Sequence, residues 1–177
     1  ADHEADLKAL IDLICQRISN VDSGEADAAR LSGDYTGAIA TYVELLGEES
    51  SRDVVAHALL GLATARGWNN EPAAAVAGFL ELIQETEAGA PGVDGAIRLS
   101  SLRELGSLYR RRGNFHQAIG WFRRYLVESQ DLGAGAAESG RDDIVRLHLA
   151  DAYNEAGFSG RAIEEYTNLL ARSSALT

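Results

Sequence analysis

A short pattern recurs four times along the chain: an alanine followed four residues later by an aromatic side chain. The alanines are Ala38, Ala75, Ala118 and Ala162, which are 37, 43 and 44 residues apart. This period fits a unit of two helices and a variable connector. A single unit of that kind buries its apolar face only against a neighbouring unit. The sequence therefore predicts an all-α solenoid of stacked helical pairs.

The third and fourth copies match over most of their length. The run Leu105-Gly106-Ser107-Leu108-Tyr109 aligns with Leu149-Ala150-Asp151-Ala152-Tyr153, and a glycine follows each run after three further residues. The small residue in each run allows two helices to cross closely. Gly113 and Gly157, like Gly33 in the first copy, are placed to end the first helix of the pair, where a left-handed backbone favours glycine.

This pattern resembles the tetratricopeptide (TPR) repeat. Leu102-x2-Leu105-Gly106-x2-Tyr109 followed by Ala118-x3-Phe122 carries the resemblance, and residues 146–166 provide a second match. The second copy departs from the pattern at Thr64, and the terminal proline of the pattern is absent from all four copies. The resemblance implies a right-handed superhelical solenoid. The long period is similar to that of long-repeat TPR proteins such as kinesin light chains, spindle-orientation adaptors and bacterial regulatory TPR proteins.

We expect a single TPR domain over residues 1–177, with repeats at 20–50, 51–90, 95–131 and 141–173. Residues 1–19 are predicted to form a capping helix, because Leu7, Leu10, Ile11, Ile14 and Ile18 share one helical face. The alternative is that this helix lies in the groove of the solenoid. Connectors are expected at Gly47–Arg52, Glu87–Gly95 and Leu132–Arg141, the last of which either extends a helix or is mobile.

The charge balance bears on the class of partner. The net charge of −11 argues against nucleic acid and anionic membranes as partners. Residues 98–141 are the exception, since they hold eight arginines and four acids. The single cysteine, Cys15, precludes an internal disulfide framework and favours a reducing compartment. Without a signal-peptide pattern or a membrane-spanning run, we expect a cytoplasmic protein.

We find no pattern of an enzyme. The four histidines are scattered, and one cysteine cannot form a zinc-binding spacing. Paired acids such as Glu164-Glu165 are adjacent in sequence and so do not converge on one helical face. No catalytic residue, cofactor site or metal site is therefore predicted.

The inner face of a TPR solenoid is formed by the leading helix of each pair, and its positions follow from helical spacing. This face predicts a groove that is apolar at the second repeat, basic at the third and mixed polar at the fourth. The expected partner contacts are Val55, Ala58 and Leu62, then Arg103, Ser107 and Arg110, then Leu147, Asp151 and Asn154. Such a groove suits a peptide with apolar residues and an acid that reaches Arg103 and Arg110. Whether these two arginines bind a partner or pair with neighbouring acids stays open at this stage.

The function predicted is a protein-interaction module or scaffold that binds a partner peptide or domain in the groove. One alternative is a regulatory or sensory TPR domain that controls an attached output domain. Another is a self-assembling scaffold, with a homo-oligomer formed through the uncapped C-terminal repeat, because Leu169, Leu170 and Leu176 follow the last repeat signal with no capping helix. Trp121 is expected to cover a seam between repeats, and Trp68 is a candidate exposed contact.

Overall fold

The computed structural model describes residues 25–47, 52–90, 92–132 and 136–174, and all regular secondary structure within these ranges is helical. Residues 25–32 belong to α1. The remaining helices are α2 (Tyr35–Gly47), α3 (Arg52–Trp68), α4 (Pro72–Glu87), α5 (Gly95–Arg111), α6 (Phe115–Asp131), α7 (Ala136–Glu155) and α8 (Ser159–Ser174). The chain forms two compact units, Ala1–Arg98 and Leu99–Thr177.

The four anchor alanines are buried. Ala38, Ala75 and Ala118 have no exposed surface, and Ala162 is 2% exposed. The glycines expected to end the leading helices have the left-handed backbone that was predicted, with φ of 86° at Gly33, 74° at Gly113 and 83° at Gly157. In the second pair Asn70 takes this conformation instead, with φ of 62°. Asparagine tolerates it better than most side chains.

Two hydrophobic clusters lie in the described core of the first unit. One cluster joins α1, α2 and α3, with Tyr42 and Leu45 at its centre. The other joins Ala56, Leu82 and Ile97. Arg98 reaches from the start of α5 to the end of α4, where it donates to the Ile83 carbonyl and to Glu87 Oε1, both at 2.9 Å. A cation near a helix C-terminus is favourable because the last carbonyls carry partial negative charge.

The second unit is built by α6 packing on α7 and α7 packing on α8. Phe122 and Val145 are fully buried there, and Leu149 is 2% exposed. Ser129 is also fully buried. Its hydroxyl donates to Asp142 Oδ2 at 3.2 Å, which satisfies a polar group between α6 and α7.

Some sequence predictions concern parts of the chain that fall outside the described residues. These are the helix predicted within residues 1–19, with Cys15, and the position of Leu176. Among the connectors, the one predicted at Glu87–Gly95 agrees with the structure, because α4 ends at Glu87 and α5 begins at Gly95. The third connector is shorter than expected, because α7 begins at Ala136. Residues 136–141 therefore extend a helix, which was one of the two alternatives.

Candidate functional site: the surface of the fifth and seventh helices

The leading helices of the second unit, α5 and α7, carry six of the nine predicted contacts. Arg103, Ser107 and Arg110 are spaced four and three residues apart on α5, and so share one face. On α7 the face holds Ile144, Leu147, Asp151 and Asn154. We call these seven residues the α5/α7 surface. Arg110 contacts Asp151, which shows that the two faces adjoin.

The middle of α7 contributes an apolar area to this surface. Ile144 is 53% exposed and Leu147 is 44% exposed. The two residues lie one turn apart on the same side of the helix. Two large apolar side chains exposed together provide a place where a partner's apolar side chain can be buried.

The C-terminal half of the surface is a polar network centred on Asp151. Tyr166 of α8 donates its phenol proton to Asp151 Oδ1 at 2.8 Å. Arg110 of α5 approaches the other oxygen, Oδ2, at 3.4 Å. The hydrogen bond to Asp151 raises the pKa of Tyr166, because it stabilises the protonated phenol. One carboxylate thus connects three helices.

The guanidinium of Arg110 uses little of its donor capacity. An arginine can donate five hydrogen bonds. Among the described residues, Arg110 has the single contact with Asp151, and its buried Nε has no acceptor. Its side chain is 32% exposed, so the group is half-buried but accessible from outside. Arg103 differs, since its Nη2 pairs with the neighbouring Glu104 at 3.0 Å.

His148 lies beside this network, and sequence reasoning did not find it. Burial lowers the pKa of His148, and the positive charge of Arg110 lowers it further, while Asp151 acts in the opposite direction. Its ring lies 5.8 Å from that of Phe122, at an angle of 45°. Its spacing from Asp151, three residues along α7, was the signal available in the sequence.

The contacts expected from the second repeat lie in the first unit, and two of them require correction. Ala58 is 1% exposed and Leu62 is 5% exposed, both in the cluster with Tyr42 and Leu45. These two side chains are part of the core, so they are not available as surface contacts. The reason is that α3 is apolar on two opposite faces and packs on both sides. Val55 is partly exposed in a cleft with Leu59 and Val93.

The two tryptophans that the sequence singled out each contact a neighbouring side chain. Trp68 is 48% exposed and stacks on Tyr35, with ring centroids 6.0 Å apart. Trp121 is partly buried, and Arg124 lies 5.8 Å from the centre of its ring. Arg124 also pairs with Glu128 at 2.8 Å on the same helix. A surface pair of this kind within one helix contributes little to stability.

Two further properties hold for the described part of the chain. None of its helices has the length and apolar character needed to cross a membrane. Within the same residues, no group of three or more His, Cys, Asp or Glu side chains is arranged to hold a metal ion.

Comparisons with known proteins agree with this architecture. A tetratricopeptide repeat family model matches residues 101–133. The solved structure of a putative kinesin light chain with nearly identical TPR-like repeats from Podosopora anserina is similar, with a TM-score of 0.73 and 16% identity over 92% of this chain and 78% of that one. BtubC (BKLC) from P. vanneervenii has a TM-score of 0.75 and 20% identity over 89% of this chain. The match spans 64% of the length of BtubC. No curated protein sequence matches the chain.

The chain is therefore an all-α helical-repeat protein with a solenoid fold. The tetratricopeptide repeat model falls on α5 and α6, and the fold is similar to that of solved structures with TPR-like repeats. This confirms the fold class and the resemblance predicted from the sequence.

Proposed function

We propose that the chain is a protein-interaction module and that the α5/α7 surface binds a partner peptide without catalysis. The observation that carries the proposal is the exposed pair Ile144 and Leu147, which lies on α7 one to two turns before Asp151, the residue that Arg110 contacts. An apolar pair supplies the burial that drives association. The charged group beside it supplies orientation and specificity. TPR repeats are in general protein-binding structures, which supports this class of function.

The partner fitted by this surface is a short peptide with two apolar residues and one acid. The apolar residues would cover Ile144 and Leu147. The carboxylate would bind the free donors of Arg110, because charge-assisted hydrogen bonds to arginine are strong and directional. Arg103 is a weaker candidate than the sequence indicated, since its pair with Glu104, at 3.0 Å, is closer than the 3.4 Å pair of Arg110 with Asp151.

The experiment uses synthetic peptides of the form Leu-x-x-Leu-x-x-Asp with neutral residues at x, and matched versions with Asn or Lys in place of Asp. Their affinities for the chain are measured by fluorescence anisotropy. We expect the Asp peptide to bind best and the Lys peptide worst. Leu147→Asp should weaken the binding of the Asp peptide by about tenfold or more, from lost apolar burial and charge repulsion.

The matched control is Val127→Asp, because Val127 is an exposed apolar residue on α6 and lies outside the α5/α7 surface. This variant should bind the peptides as the unmodified chain does. If Leu147→Asp and Val127→Asp bind equally well, the surface is not the binding site. If the Asp, Asn and Lys peptides bind with one affinity, the acid is not recognised.

A second candidate function, self-assembly through the last repeat, is favoured by a separate observation on α8. Ile119 and Leu126 of α6 are 8% and 6% exposed, in the part of the unit where α7 packs on α6. The residues at the matching positions of α8, Ile163 and Leu170, are 64% and 71% exposed. The face that α6 buries in the chain is thus open on α8, and a second copy could cover it.

Sedimentation velocity over a micromolar concentration range tests this second candidate. Self-association should appear in the unmodified chain, disappear in Ile163→Glu/Leu170→Glu and persist in Val127→Glu. A monomer at all concentrations excludes the assembly, and persistence of the oligomer in the double variant excludes this face.

A further inference from the structure

Asp151 is held by two groups of different kinds, one on each carboxylate oxygen. The phenol of Tyr166 lies at a normal hydrogen-bond distance, 2.8 Å, whereas the nearest nitrogen of Arg110 is 3.4 Å away. Arginine and carboxylate groups often pair through two parallel hydrogen bonds, which is a stronger arrangement. In this network Tyr166 has the better bond, and Arg110 is left with one long contact.

The same Tyr–Asp pair occurs at the matching positions of the first repeat. Tyr42 donates to Asp27 Oδ1, and both pairs are 15 residues apart. In each case the aspartate directly follows a small residue of the leading helix, and the tyrosine follows the anchor alanine by four residues. The second repeat has Phe79 with Leu62, and the third has Phe122 with Ser107. The phenol hydroxyl thus occurs only in the two repeats that have the carboxylate.

The two pairs differ in how they use arginine. In the first repeat Arg30 is three residues beyond Asp27 on the same helix. Its Nη2 lies 3.2 Å from Asp27 Oδ1, the oxygen that also accepts from Tyr42. In the fourth repeat the arginine comes from another helix, α5, and approaches the oxygen that the tyrosine does not use. The first arrangement lies within one repeat, whereas the second includes a contact with Arg110 of the third repeat.

We propose that Tyr166 is a positioning residue of the α5/α7 surface: by holding Oδ1 of Asp151, it keeps Asp151 from pairing through both oxygens with Arg110 and so leaves Arg110 able to bind a partner's carboxylate. This inference rests on the proposed function. It identifies Tyr166 as the residue that sets the selectivity of the α5/α7 surface for an acidic peptide. Without the phenol, Asp151 is free to change rotamer. The Asp151 carboxylate then accepts from the Arg110 guanidinium through both oxygens, so those donors are not available to a partner's carboxylate.

The peptide series described above tests the proposal through the ratio of the affinities for the Asp and Asn peptides. Tyr166→Phe should reduce this ratio by about tenfold, the value of one charge-assisted hydrogen bond. Asp151→Asn should not reduce this ratio, because Arg110 loses its competitor, and a reduction would contradict the proposal. The double variant Tyr166→Phe/Asp151→Asn should regain the ratio of the unmodified chain. If the double variant behaves as Tyr166→Phe does, the proposal is overturned.

Tyr42→Phe is the matched control, since it removes the same kind of hydrogen bond from the first unit. It should leave the Asp-to-Asn ratio unchanged. A reduction of the ratio by both phenylalanine variants would point to a general loss of structure and contradict a positioning role for Tyr166.

A measurement without any peptide separates this proposal from the proposed function. The Nε–Hε signal of Arg110 is observed by ¹⁵N NMR in the free protein. Tyr166→Phe should shift this signal and slow the exchange of the proton with water, because Asp151 then accepts from Nε. An unchanged signal overturns the positioning role whether or not the peptides bind. A shifted signal in a chain that binds no peptide supports the role while contradicting the proposed function.

Discussion

Gly106 of α5 lies against the edge of the Phe122 ring of α6, so closely that a Cβ at position 106 would overlap the ring. Gly61 has the same relationship with the ring of Tyr42 in the first unit. Phe122 and Tyr42 are 0% and 1% exposed, so neither ring has space to move away. Glycine is therefore required at both positions by close packing and not by backbone conformation.

Replacing Gly106 by alanine should destabilise the protein. We expect Gly106→Ala to lower the free energy of unfolding by about 1–3 kcal/mol, as is typical when extra volume is forced into a packed core. Gly120→Ala is the matched control, since Gly120 is exposed on α6 and a Cβ there has open space. That change should raise the free energy by about 0.5–1 kcal/mol through helix propensity. Urea unfolding of both variants measures the difference, and equal effects would contradict the packing argument.

The bonds of Arg98 provide a second stability prediction. Its side chain is 13% exposed and donates to both a backbone carbonyl and a carboxylate at the end of α4. Arg98→Met should lower the free energy of unfolding by about 1.5–3 kcal/mol, the usual contribution of hydrogen bonds to a charged group. Arg123→Met, on the exposed face of α6, should change it by less than about 0.5 kcal/mol. The prediction fails if thermal or urea unfolding cannot tell the two variants apart.

The lowered pKa of His148 predicts a loss of stability in mild acid. The unfolded chain binds a proton at His148 more tightly than the folded protein does. Stability is therefore fully present above the unfolded pKa of 6.5 and decreases as the pH falls below it. Arg103, Glu104 and Arg110 of α5 and Asp151 of α7 are the charged groups that act on this side chain.

Urea unfolding between about pH 5.5 and 7.5 checks this prediction, with His148→Gln for comparison. The variant should show a weaker dependence on pH, since glutamine does not titrate. An identical pH dependence in the two proteins would show that His148 is not the group responsible.

The buried phenol of Tyr42 predicts a change at alkaline pH. Burial raises the pKa of Tyr42 to about 12, and the hydrogen bond to Asp27 contributes in the same direction. Its contribution to stability is present below the unfolded pKa of 10.0 and is lost as the pH rises towards 12. In an alkaline titration followed by tyrosinate absorbance, the unmodified protein should show one tyrosine that ionises late. Tyr42→Phe should lack this group. Superimposable curves for the two proteins would contradict this.

The sequence predicted the helical pairs well because their determinants are local. The anchor alanines and the glycines after the leading helices act through close packing and backbone conformation, and each requirement is visible as a residue type at a fixed spacing. The exception is Asn70, which takes the left-handed position in a turn that has no glycine there. Asparagine readily replaces glycine in this way. The alignment of repeats did not show the match, because Asn70 stands nine positions after Gly61 whereas Gly113 stands seven after Gly106.

The candidate site was predicted less completely because its contacts are not local. The spacing of Arg103 and Arg110 placed both on one face, but the pairing of Arg110 with Asp151 joins residues 41 positions apart. The burial of Ala58 and Leu62 could not be inferred from the alignment of repeats. Ala58 and Leu62 align with Arg103 and Ser107 of the third repeat. They are buried because α3 packs on both sides.

The two tryptophans of the chain, Trp68 and Trp121, lie in different units. Replacing either one by phenylalanine leaves a single tryptophan, whose emission reports on one unit alone. Two otherwise identical melting experiments would then show whether the halves of the molecule lose their structure together or in succession. Each unit therefore has its own intrinsic probe of unfolding.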